Sequence, residues 1–320
     1  MTDPDRLVAC VPNVSEGRRP RLVDELAAAF AGPPGVLLLD RSSDADHDRS
    51  VLTLAGPGGA LVEAAVAGAA ACARLLDLRG HAGVHPRMGA LDVLPFVPLG
   101  RATTLGPQRG GELDCAALAR EAGRRIAEEV GVPVYLYGAA ALRPERAALP
   151  AVRWRGFEAL RAAATADPAR APDVGGPTLH PTAGAVAVGA RPPLVAYNVE
   201  LAGAGLDLAR RIAAAVRERG GGLPAVRAIG VPLAGRGLVQ VSMNLLDYKV
   251  TPPAAAFAAV AGLAARAGAR VVRSEIVGLV PAAALDGADP ADLALDGFSG
   301  DQVLEVRVAA ALRTNTEVVP

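Results

Sequence analysis

Lysine is almost absent. Of 33 basic residues only Lys249 is a lysine, and it follows the charged Asp247 on a predicted strand edge, which disfavours Schiff-base chemistry. The chain contains no GxGxxG and no GxxxxGK[ST], so the dinucleotide fingerprint and the phosphate-cradling loop are both missing. GxSxG and CxxC are missing too, which removes the strained serine elbow and the usual zinc or redox pair. Cysteine is scarce: Cys10, Cys72 and Cys115 are odd in number, widely spaced and set in apolar segments, as expected of reduced core thiols in a cytoplasmic protein. Formal net charge is zero, so no long-range field draws nucleic acid or an anionic membrane. The opening MTDPDRLVACVPNVS has acids before any apolar run and no basic n-region, so no secretory signal is expected. The Ala-rich run from Leu61 to Ala73 includes Glu63 and is too short to span a bilayer, so no membrane partner is expected either.

What remains is an apolar chain, 51% hydrophobic over 320 residues, long enough for two packed units of roughly 150 residues. Strand and helix patterns alternate. RLVACV stops at Pro12-Asn13, and a helix begins near Pro20 with Leu22, Val23, Leu26, Ala27 and Phe30 on one face. GVLLLD (Gly35 to Asp40) and SVLTLAG (Ser50 to Gly56) read as strands, followed by a helix from Gly58 to Leu75. After LDVLPFVPL come a helix over Glu112 to Glu129, the strand VPVYLYG and a helix over Gly156 to Thr165. The stretch Asp167 to Ala185, with four prolines and three glycines, is a linker or a binding loop. Beyond it, strands in AVAVGA, PLVAYNVEL, Val226 to Val231, Leu238 to Met243 and Arg270 to Ile276 alternate with helices over Leu206 to Arg219, Ala254 to Ala267 and Asp301 to Leu312. The expected fold is α/β (α+β-like) in two subdomains, 1–180 and 181–320, each a mixed sheet with helices on its outer face.

Three polar loops adjoin buried strands: VPNVSEGR, SSDADHDRSV (Ser42 to Val51) and HAGVHPRMGALD (His81 to Asp92). By pattern the second is an ordinary solvated turn. In the third, His81 and His85 stand four apart, the spacing of two metal ligands on a helix, but Pro86 disfavours helix at His85. The segment is therefore a loop entering a strand, where reactive side chains are commonly carried. Imidazole exchanges protons near neutral pH. Two structural histidines bonded to loop backbone are an equal reading on composition alone. No third ligand accompanies the pair, so no metal is expected. Convergence of the three loops on one sheet edge would make a site.

The sequence resembles the formiminotransferase family. The matching blocks are CVPNVSEG, SSDADHDRSV, DLRGHAGVHPRMGALDVLPFVP (Asp77 to Pro98), VPVYLYG, APDVGGPTLHPTAGAVAVGAR (Ala171 to Arg191), AYNVEL (Ala196 to Leu201), VQVSMNLLDYKVTP and SEIVGLVP. The resemblance implies two α/β subdomains whose sheets face each other across a groove. It implies transfer of the formimidoyl group from N-formimidoyl-L-glutamate to tetrahydrofolate, a co-substrate, in histidine degradation. It places the catalytic histidine at His81 and folate contacts on Ala171, Pro172, Asp173, Val174, Gly175, Gly176, Pro177, Thr178, Leu179 and His180. Relatives suggest a homodimer.

One imidazole can take the proton from the attacking pterin nitrogen and return it to the departing glutamate nitrogen. For the glutamate carboxylates, Arg49 and Arg87 offer planar bidentate donors. His85, Asn13, Glu16, Asp92 and Asn198 are further substrate-positioning candidates, each equally read as a loop tether. Two residues depart from the family pattern: Asp48 and Glu200 stand where asparagine is usual. Each adds a negative charge which, if it lines the site, lowers affinity for an anionic substrate. Two other readings stay open: formyl transfer between 5-formyltetrahydrofolate and glutamate, and a folate-binding protein without turnover.

Overall fold

The computed structural model describes residues 6–101, 104–105 and 114–316, in two compact units, 1–191 and 192–320. In the first unit the strands are β1 (Arg6–Cys10), β2 (Asn13–Val14), β3 (Leu37–Asp44), β4 (Arg49–Gly56), β5 (Leu91–Arg101), β6 (Thr104–Leu105), β7 (Val134–Gly138) and β8 (Val186–Ala190). Its helices are α1 (Pro20–Ala31), α2 (Gly58–Leu75), α3 (Cys115–Arg125), α4 (Leu149–Arg153) and α5 (Phe157–Ala166). Glu112, the expected start of the third helix, lies outside the described residues.

The first sheet is mixed. β5 lies at its centre, antiparallel to β1 and β2 and parallel to β8, which in turn pairs parallel with β7. Residues Leu91 to Val97 of β5 are almost entirely buried, as a strand covered on both faces requires. Helices α1, α2 and α3 pack on the sheet, and α1 buries Val23, Leu26, Ala27 and Phe30, the stripe expected from its spacing. By length and composition α2 would pass for a membrane span. It packs instead against α1, α3 and three strands, with Leu61, Ala65, Ala69 and Cys72 in the core. The three cysteines are buried free thiols.

The boundary falls later than the expected break at 180/181. β8 donates and accepts within the first sheet, so the first unit runs to Arg191 and the Pro-Gly stretch is a loop inside that unit, not a linker.

The second unit runs β9 (Val195–Ala202), α6 (Leu206–Val216), β10 (Val226–Leu233), β11 (Leu238–Leu245), α7 (Pro253–Arg266), β12 (Arg270–Val277) and α8 (Leu304–Thr316). Its strand order is β10-β11-β9-β12, and every pairing is antiparallel, so this sheet is not the mixed one expected. The β-α-β-β-α-β order is ferredoxin-like, in which each helix returns the chain past a skipped strand position. Alternation divides the sheet. Tyr197, Val199, Leu201, Val241 and Met243 join the core under α6 and α7, whereas Asn198, Glu200, Gln240, Arg273 and Glu275 lie on the opposite face.

One contact tests the packing of the first unit. A methyl group at Gly68 of α2 would overlap the ring of Phe30, which is fully buried and has nowhere to move. Replacing glycine by alanine in a helix gains about 1 kcal/mol of propensity, and overpacking costs about 1–3 kcal/mol. The overlap is direct, so Gly68→Ala is expected to destabilise the protein, read as a lower urea midpoint with an unchanged slope; an unchanged or raised midpoint would show that α1 and α2 are not in this register.

Candidate active site

The three polar loops converge around Asp92. Val14 pairs with Leu91 and Asn13 with Val93, so Asp92 is the extra residue of a β-bulge in β5. A bulge turns a side chain away from the regular alternation. Here it buries a carboxylate completely. Asp92 Oδ1 accepts from the Met88 N–H at 2.8 Å, and Oδ2 accepts from Arg49 Nη1 and Arg153 Nη2, each at 2.7 Å. Burial alone would raise the Asp92 pKa; the charges of Arg153 and Arg49 outweigh it and hold the carboxyl well below the usual range. Asn13 completes the arrangement. Its Oδ1 accepts from Arg49 Nε and Nη2 at 3.2 and 2.9 Å, and its own amide donates to the Val11 carbonyl at 2.8 Å.

The second polar loop is a hairpin turn, because Ser42, Ser43 and Asp44 extend β3 and Asp44 pairs with Arg49. It is only partly solvated: Ala45 is exposed, whereas His47 and Asp48 are buried. Asp48 has φ of 47°, a left-handed conformation that aspartate and asparagine tolerate better than most residues. Its Oδ1 accepts from the Gly17 N–H at 3.0 Å, and Oδ2 lies 3.4 Å from Arg18 and 3.6 Å from His81.

His81 and His85 have different surroundings. The loop carrying them is not helical, and Gly83 lies so close to the hairpin turn that a Cβ there would strike the His47 carbonyl. The His81 ring is engaged at both nitrogens: Nε2 donates to the Asp48 carbonyl at 2.9 Å, and Nδ1 accepts from the Gly83 N–H at 3.3 Å. His85 donates through Nδ1 to the Pro86 carbonyl at 2.8 Å, which leaves Nε2 as the unprotonated nitrogen. Its ring lies 5.9 Å from that of His47. Burial, then the charges of Arg49 and Arg153, push the His85 pKa well below the ordinary histidine value.

Several expected substrate contacts are spent inside the protein. Glu16 is buried, accepting from the Arg18 and Arg19 N–H groups at 2.8 Å and from the Arg19 side chain at 2.6 Å. Arg87 makes a fork with Glu158, at 2.7 and 3.3 Å, and donates to the His81 carbonyl at 3.2 Å. Its guanidinium is a loop clamp. In the second unit Asn198 donates to Glu275 at 3.0 Å. Glu200, also buried, accepts from Arg236 at 2.5 Å and Arg273 at 2.8 Å. Both residues that depart from the family pattern therefore carry arginine partners of their own.

The segment Ala171 to His180 is pinned at both ends. Asp173 accepts from the Leu136 N–H at 2.9 Å and pairs with Arg146 at 2.8 Å, and His180 exchanges backbone hydrogen bonds with Gly184. Pro172 and Leu179 are buried, Ala171 and Val174 are half-buried, and the apex Gly175, Gly176, Pro177 and Thr178 is exposed. Gly175, at φ of 91°, takes a conformation that few residues other than glycine adopt. Among the described residues no cluster of three His, Cys, Asp or Glu side chains is placed to hold a metal ion.

Sequence reasoning missed Arg153 and undervalued His47. Arg153 ends the five-residue helix α4, too short to show periodicity. An acid flanked by two arginines, beside a neutral imidazole with an open nitrogen, can orient an anion and move a proton.

The chain is thus an α/β protein with a buried carboxylate–arginine centre on its first unit. The comparisons narrow this. Residues 7–191 match the formiminotransferase domain N-terminal subdomain and residues 196–290 the formiminotransferase domain, and the chain belongs to that family. It is 42% identical over 307 residues to the glutamate formimidoyltransferase of Thermoplasma acidophilum, covering 95% of this chain and 98% of that protein. Against the glutamate formimidoyltransferase of Streptococcus pyogenes serotype M1 it is 42% identical over 280 residues, covering 88% and 91%. The formimidoyltransferase-cyclodeaminase of Gallus gallus is 42% identical over 291 residues, and the match spans 89% of this chain and 52% of that longer protein.

Removing the charge of Asp92 leaves two guanidiniums side by side without their counter-ion. Asp92→Asn is expected to cost about 3–5 kcal/mol at neutral pH, measured by urea unfolding. The folded pKa of Asp92 is depressed, so its contribution is present above the unfolded value of about 3.9 and fades as pH falls below it. The gap between wild type and Asp92→Asn should accordingly narrow in acid. A gap that is small at pH 7, or that widens in acid, contradicts the ion-pair account.

Proposed function

We propose that the chain transfers the formimidoyl group of N-formimidoyl-L-glutamate to tetrahydrofolate, and that His85, in place of His81, handles the proton. Family membership and 42% identity to two glutamate formimidoyltransferases over most of the chain support the activity. The observation that carries the assignment of the histidine is the fixed tautomer of His85. Its Nδ1–H is committed to the Pro86 carbonyl and its Nε2 makes no hydrogen bond among the described residues, whereas both nitrogens of His81 are committed to backbone.

Tetrahydrofolate supplies the acceptor amine. The new bond joins that nitrogen to the formimidoyl carbon, and the bond from this carbon to the glutamate nitrogen breaks. One proton must leave the first nitrogen and reach the second. Nε2 of His85 takes it and returns it, so the ring ends as it began. Its surroundings favour the return step, because an imidazolium beside Arg49 and Arg153 is a strong acid. We assign folate contact to the exposed apex of the Ala171 to His180 loop, which its pinned ends hold in place. Three buried free cysteines support a cytoplasmic location.

Purified protein given N-formimidoyl-L-glutamate and tetrahydrofolate should form the formimidoyl product, with little turnover from 5-formyltetrahydrofolate and glutamate; the opposite preference overturns the donor assignment. His85→Ala should lose about 10²–10⁴-fold in kcat with folate binding retained, and His81→Asn should lose far less. Equal turnover in His85→Ala and wild type rejects the role of His85. Because His85 must be unprotonated to accept and its pKa is depressed, the acidic limb of kcat/KM should lie below about pH 6.5.

A further inference from the structure

The charges around Asp92 do not balance. Asp92 and Arg153 act most strongly on Arg49, and Arg49, Arg153, Asp92 and His47 act most strongly on His85. With His85 neutral, two guanidiniums face one carboxylate, and both use the same oxygen, Oδ2. Two like charges gathered this way repel each other unless an anion joins them. The donors to receive one are in place. Arg49 sends Nε and Nη2 to Asn13 and Nη1 to Asp92, which leaves one hydrogen on each Nη. Arg153 is held through Nη2 alone, and the side chains of Arg49 and Arg153 keep 11% and 13% exposure. Arg87, the other expected carboxylate donor, is occupied by Glu158.

The geometry points to Arg49 and Arg153, held on one oxygen of Asp92, as the site for the α-carboxylate of the amino-acid donor, with Arg153 setting specificity for it. This rests on the transferase reading above. The α-carboxylate of an N-substituted glutamate is one carbon from the nitrogen that departs. Binding it here would hold that nitrogen in the field of the two arginines that also act on His85. The carboxylates of a folate tail lie far along the molecule from its reacting nitrogen, so the same site cannot take one and leave the pterin at His85. A bound carboxylate also cancels the excess positive charge, which makes His85 a better proton acceptor once substrate is present.

Steady-state kinetics of full-length Arg153→Gln and Arg153→Lys test this. Arg153→Gln should raise KM for N-formimidoyl-L-glutamate roughly 10- to 100-fold, the loss expected for a charged hydrogen-bond pair, with KM for tetrahydrofolate unchanged. Arg153→Lys should recover part of the loss. The acidic limb of kcat/KM should move to higher pH in Arg153→Gln, since one positive charge near His85 is gone. An N-formimidoyl donor made from 4-aminobutyrate, which lacks the α-carboxylate, should be poor for wild type and no worse for Arg153→Gln. A raised KM for tetrahydrofolate instead assigns the site to the folate tail and overturns the proposal. A fall in kcat alone, with both KM values unchanged, reduces Arg153 to a support for Asp92 and overturns it too. Thermal shift by L-glutamate separates the two readings: Arg153-dependent stabilisation without any formimidoyl transfer retains the site and rejects the activity, whereas transfer with stabilisation and donor KM indifferent to Arg153 rejects the site.

Discussion

The carboxylate of Asp92 holds the first unit's polar centre together. It reaches that position through a bulge in the central strand, and from there it ties β4 through Arg49, the end of α4 through Arg153 and the loop before β5 through the Met88 N–H. A fully buried carboxylate would ordinarily be protonated or excluded. Two guanidiniums reverse that preference, and removing the carboxylate would leave both of them without a counter-ion. The first polar loop is tied to it through Asn13, which accepts from Arg49, while Arg87 separately fastens the His81 carbonyl.

The second unit solves a similar problem differently. Its sheet turns one face to α6 and α7, and on the other face Glu200 is buried between Arg236 and Arg273 while Asn198 and Gln240 both donate to Glu275. An acid where an amide would do requires a cation nearby, and this sheet supplies two. Asp48 in the first unit follows the same logic, with Arg18 beside it and the Gly17 N–H on its other oxygen. Neither exchange leaves a bare negative charge, which weakens the expectation that Asp48 and Glu200 repel an anionic substrate.

The sequence made the regular elements legible where periodicity was strong. The α2 helix spans Gly58–Leu75, as its pattern indicates, and the buried stripe of α1 is the one its spacing defines. Composition misled where a strand was polar: Ser42 to Asp44 look like a turn and form the end of β3, because their partners are the first residues of β4. The membership of β8 was hidden for a related reason. Parallel pairing with β5 and β7 brings together strands far apart in the chain, and no local pattern records that. Arg153 left no trace because a lone arginine in a five-residue helix carries no periodic signal.

The two histidines of HAGVHPRMGALD are a sharper case. In sequence they are alike, each preceded or followed by glycine or proline and four positions apart. Their roles are fixed by which backbone groups the loop presents to each ring. The close approach at Gly83 presses His81 onto the hairpin turn, so its nitrogens meet the Asp48 carbonyl and the Gly83 N–H, and the ring joins two loops. Pro86 holds the chain extended and offers its own carbonyl to His85 Nδ1, so the tautomer is set from within the loop and Nε2 is left without a proton. A histidine whose tautomer is fixed on one side and whose basicity is lowered on the other is prepared to exchange a proton; one bonded on both sides is prepared to stay still. That difference, more than the presence of either ring, is what separates the two histidines of this loop.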